Sequence, residues 1–130
     1  MSKKRHKNTL NATFEVFDYD VCVVVAEDIG KAMLRFPETE NEECFKNIDA
    51  LTIHCGGDDY GKSFIFFNPG VSLGTIAHEA WHVVEHMLTE IDEDSVDRFH
   101  GETVAYHLGY LVDKISALFF VRKNGKRNDN

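Results

Sequence analysis

At 130 residues, with 43% hydrophobic and 28% charged side chains, the chain has the size of one domain and enough apolar material to bury a core, which excludes disordered and low-complexity classes. Its net charge of −8 is uneven: the first ten residues carry +4 and the last nine +3, so residues 11–121 carry −15, a poor match for nucleic acid, whose affinity rests on phosphate neutralisation. No apolar run approaches the roughly 20 residues of a membrane-spanning helix, and Cys22, Cys44 and Cys55 have no disulfide spacing, so a cytoplasmic protein with reduced thiols and no membrane partner is expected.

Residues 1–9 read as a basic flexible tail, through Lys3, Lys4, Arg5 and Lys7. No apolar block follows it, so it does not read as a secretory signal. Ala12 to Tyr19 alternates as a strand, and Asp20 is the expected turn. Val21 to Ala26 is a β-branched run that predicts a buried strand. Asp28 predicts a cap for a short helix from Ile29 to about Phe36, ended by Pro37. Glu38 to Asn47 is acidic and reads as loop or short helix.

Leu51 to Cys55 and Ser63 to Phe67 predict two strands of a hairpin, joined across the turn-rich stretch from Gly56 to Gly61. Asn68-Pro69-Gly70 stops the second strand, and Ser72 is placed to cap a helix from Leu73 to about Thr89. An acidic connection, Glu90 to Asp94, leads to Ser95 and a second long helix to about Arg122. Residues 123–130 form a second basic tail. The whole predicts one α+β domain over residues 10–122, with helices packed on a small sheet of about four strands.

The first long helix contains His78-Glu79-Ala80-Trp81-His82, an HExxH motif. Two histidines four apart stand one turn apart on the same side of a helix. Their ring nitrogens can then occupy two adjacent corners of a zinc tetrahedron. Glu79, about 100° further round, falls beside such a metal rather than on it, as suits a base acting on water. Thr75, His78, Glu79, His82, Glu85 and His86 share an arc of about 120° that contains no lysine or arginine, while Ile76, Ala80, Val83, Val84, Met87 and Leu88 lie opposite.

A catalytic zinc needs a third protein ligand. Position 88 is Leu, so the extended HExxHxxGxxH pattern is absent. Glu102, on the following helix, shares a face with Tyr106, Gly109, Tyr110 and Asp113, opposite the apolar stripe Val104, Leu108, Leu111, Ile115 and Leu118. Other third donors are His86, His100, His107 and Cys55. HExxH followed, after nineteen intervening residues, by Glu on a second helix resembles the gluzincin class of zinc metallopeptidases. The stretches Ser72 to His82 and Gly101 to Leu111 are similar to those of short proteins encoded by phages and mobile elements.

That resemblance implies a zincin-like fold and one Zn2+ per chain, held by His78, His82 and Glu102. It also implies hydrolysis of a peptide or protein substrate with Glu79 as general base. Larger gluzincins usually carry an acid four residues past the third ligand, where this chain has Tyr106. Tyr106, Tyr110 and His107 are candidate donors to an oxyanion. Ser63 to Phe67 reads as a core strand, or as an edge along which an extended substrate pairs. Gly109 reads as a place where the two helices approach closely. The alternative function is a catalytically silent zincin-fold protein that binds a host or viral partner.

Overall fold

β-branched and aromatic residues build the sheet. Strand β1 (Thr9–Phe14), β2 (Tyr19–Val25), β3 (Ala50–His54) and β4 (Lys62–Phe67) form one four-stranded mixed sheet in the order β1-β2-β4-β3. β1 pairs antiparallel with β2, β2 parallel with β4, and β3 antiparallel with β4. The helices are α1 (Ile29–Met33), α2 (Leu73–Ile91) and α3 (Glu102–Asn124), with a 3-10 turn at Pro37–Thr39. The computed structural model describes residues 8–15, 17–39, 48–56, 61–91 and 102–124, of which 91, 102 and 120–124 by backbone alone. The tails, residues 40–47 with Cys44, and the connection 92–101 with His100 lie outside the described residues.

Strand periodicity sorts the side chains between two faces. Ala12, Phe14, Val21, Val23, Ile65 and Phe67 join Ile76, Ala80, Val83, Val84, Met87 and Leu88 of α2, and Leu111 and Ile115 of α3, in one core. Cys22, Val24, Phe64 and Phe66 face the other way, onto Ile29, Ala32 and Met33 of α1. The two central strands are therefore buried on both faces, which is why VCVVV and SFIFF read as apolar runs rather than alternations. Among the described residues no helix is long and apolar enough to cross a membrane.

The α+β class, the first long helix and the β3–β4 hairpin match the expectations, and the second long helix does so from Glu102 onward, its expected Ser95 cap lying outside the described residues. The first hairpin does not. β1 begins at Thr9, inside the expected tail, and ends at Phe14, while β2 already begins at Tyr19, so the turn comes before Asp20. Phe17 N–H donates to the Phe14 carbonyl, and Asp18 sits at φ +53, a left-handed conformation that aspartate tolerates better than most residues. Asp20 instead continues β2, paired with Lys62. Helix α1 also ends at Met33, three residues short of the expected limit. Its Asp28 cap is as expected: the side chain accepts from Lys31 N–H at 3.0 Å.

Candidate metal and catalytic site

Helix α2 starts where Ser72 caps it. Ser72 Oγ accepts from Thr75 N–H at 3.2 Å, and the Ser72 carbonyl accepts from Ile76 N–H. The helix then buries its apolar arc, which fixes the direction of its polar one. His78 and Glu85 face solvent, while Glu79, His82 and His86 are half-buried. The Nε2 atoms of His78 and His82 lie 3.2 Å apart, with the rings nearly perpendicular at 85°. Two nitrogens bound to one tetrahedral zinc at about 2.0–2.1 Å stand about 3.3 Å apart. The two imidazoles thus already hold the spacing of two adjacent zinc corners.

Glu79 points the other way, to β3. Thr52 Oγ1 donates to Glu79 Oε1 at 2.5 Å. That bond holds one of the two carboxylate oxygens. Two residues along the same strand face, His54 stacks flat on His86, at 3.9 Å between ring centroids and 6° between planes. His54 Nδ1 lies 2.9 Å from Ser63 Oγ, which lies 2.6 Å from the Tyr19 hydroxyl. Ser63 is fully buried and Tyr19 nearly so. On the other side His86 Nε2 meets Glu90 Oε2 at 2.7 Å. Burial first, then His86 and His82 nearby, push the His54 pKa down to about 4, so its ring is neutral at physiological pH.

Thr52 and His54 were not among the candidates drawn from the sequence. A signal for them existed: in LTIHC they are the polar residues at alternate positions, hence on one face. Which strand lies beside α2 is a matter of sheet order, and strand alternation alone does not give it.

Ser63 to Phe67 is corrected as a candidate edge. It is β4, paired on both sides and buried, and β3 is the edge strand beside α2. The expected approach at Gly109 is also corrected. Gly109 is exposed, and a Cβ added there would meet nothing within 4 Å.

Glu102 is the first residue of α3, and its side chain lies outside the described residues, as does His100. The other candidate donors are engaged elsewhere. His86 is bound to Glu90, and Cys55 packs in the cluster on the α1 face of the sheet. His107 Nδ1 donates to the Thr103 carbonyl at 2.8 Å, and its ring lies against Phe14 and Phe17 on the β1 side. Tyr110 also packs on Phe14, while Tyr106 is exposed. Among the described residues no three His, Cys, Asp or Glu side chains stand together to hold a metal. The described side chains supply a pair of histidines, His78 and His82.

No family model, no curated protein and no solved structure matches the chain.

Proposed function

We propose that the protein is a zinc-dependent peptide-bond hydrolase of the gluzincin type, with a zincin-like arrangement of sheet and helices. The observation that carries this reading is the 3.2 Å convergence of the His78 and His82 Nε2 atoms beside a glutamate tethered through one oxygen. His78 and His82 would hold the ion, and Glu102 would complete the set. Bound zinc supplies Lewis-acid chemistry, acidifying a water and polarising a carbonyl. Glu79 takes the proton of the attacking water on its untethered oxygen and returns it to the leaving amine. Thr52 holds that carboxylate in place. An extended peptide would lie along the outer edge of β3, the edge strand whose Thr52 and His54 meet α2, through backbone hydrogen bonds.

The test has two parts. Native mass spectrometry of zinc-reconstituted protein is expected to show one zinc per chain, lost in His82→Ala and weakly held in Glu102→Ala. A peptide-library digest is expected to show cleavage by wild type and none by Glu79→Gln, which keeps its zinc. Absence of zinc from reconstituted wild type would overturn the reading. Zinc without cleavage in any library would leave a silent binding protein. Zinc held equally by Glu102→Ala would move the third ligand to His100.

A further inference from the structure

A second concave site lies away from the histidine pair, between the end of β1 and the first turns of α3. Thr13, Phe14, Glu15, Tyr106, His107 and Tyr110 line an open cleft of about 240 Å³. That is just below the roughly 300 Å³ at which small-molecule sites begin, so it suits one side chain or a headgroup-sized ligand.

The cleft offers hydrogen-bond acceptors and aromatic faces. His107 Nδ1 bonds to the Thr103 carbonyl, and a carbonyl only accepts, so Nδ1 carries a proton. In the neutral ring Nε2 is then an acceptor. Glu15 contributes a carboxylate. Phe14, Tyr106, Tyr110 and His107 contribute aromatic faces and hold one another: the His107 ring centroid lies 5.5 Å from Phe14 and 5.2 Å from Tyr106, and Tyr110 lies 5.4 Å from Phe14. Aromatic faces are negative and attract cations. Lys114 shows this within the molecule, with Nζ 5.6 Å from the Tyr110 ring centroid. Tyr106 is 70% exposed, so its ring borders the cleft while leaving most of its surface open.

We propose that this cleft binds an arginine side chain of a partner peptide or protein. A guanidinium is planar and stacks on aromatic rings, and its several N–H groups suit both a carboxylate and an imidazole acceptor. An ammonium satisfies only the charge. The chain's net charge of −8 favours a basic partner for the same reason. The proposal does not depend on the reading of His78, Glu79 and His82.

The test is a titration of the full chain, followed by NMR, with N-acetyl-arginine-N-methylamide and with the uncharged isostere N-acetyl-citrulline-N-methylamide. Saturable shifts confined to Phe14, Glu15, Tyr106, His107 and Tyr110 are expected for the arginine probe, with citrulline weaker by about fivefold or more. Glu15→Gln and Tyr106→Ala should each weaken the arginine probe by about two- to fivefold, and His82→Ala should leave it unchanged. Both altered side chains are exposed, so these variants keep the fold, which their amide spectra would show. Equal response to the two probes, shifts mapping elsewhere, or no saturable shift would overturn the proposal.

Discussion

Among the described residues Glu79 is tethered through one oxygen, and the tether is a neutral hydroxyl rather than a cation. Thr52 therefore orients the carboxylate without neutralising it. Replacing Thr52 with Val keeps the shape and removes the donor. If Glu79 is the base, Thr52→Val is expected to lower turnover roughly tenfold, the worth of one hydrogen bond to a charged group. Zinc stoichiometry should be unchanged, which separates positioning from metal binding. His54 offers a test that needs no activity. Its folded pKa of about 4 lies below the ordinary 6.5 of histidine. The unfolded chain therefore binds this proton more readily than the folded one. Stability contributed by the neutral ring is complete above pH 6.5 and declines as pH falls toward 4. The loss in urea midpoint between pH about 7.5 and about 5 should be smaller in His54→Gln than in wild type. An equal loss would mean that the imidazole is not held neutral.

Helix α2 is positioned by its buried arc and its cap; its polar arc is what those leave over. Ser72→Ala removes the acceptor for Thr75 N–H and should cost about 1 kcal/mol by chemical denaturation. Helix α3 carries the opposite case. Gly109 is exposed in mid-helix with open space where a Cβ would go, so its absence of side chain has no packing reason. Gly109→Ala should stabilise the protein by about 0.5–1 kcal/mol through helix propensity and reduced freedom of the unfolded chain. A destabilised variant would show that another molecule or segment packs on that face.

At the scale of the whole molecule, one sheet separates two unequal cores. Ile65 lies on the α2–α3 side and Phe66 on the α1 side, each with no exposed surface. Ile65→Ala should cost about 2–5 kcal/mol and Phe66→Ala about 3–5 kcal/mol by thermal or urea unfolding. Only the first removes support from beneath the motif helix. Ile65→Ala is therefore expected to broaden the His78 and His82 ring signals in NMR, with Phe66→Ala leaving them sharp.

Much of this was legible in the chain alone. The apolar runs of β2 and β4, the 3.6-residue arc of α2 and the caps at Asp28 and Ser72 are local signals, and the structure follows each. The HExxH spacing by itself brings two imidazoles to one side of a helix, because one turn separates them. The first hairpin was misplaced because residues 12–19 alternate plausibly while Asp18, in a left-handed turn, breaks the strand. Gly109 was misread because spacing cannot tell which side of α3 meets α2.

Which strand stands beside the motif is settled by long-range packing alone. Pairing of β2 with β4 puts β3 at the edge, and this brings Thr52 to Glu79 and His54 to His86. It also draws His107 and Tyr110 onto Phe14 and opens a second cleft there. Helix periodicity is written in neighbours three and four apart, whereas strand order is set by burying two faces of one sheet at once, a condition on residues distant in the chain.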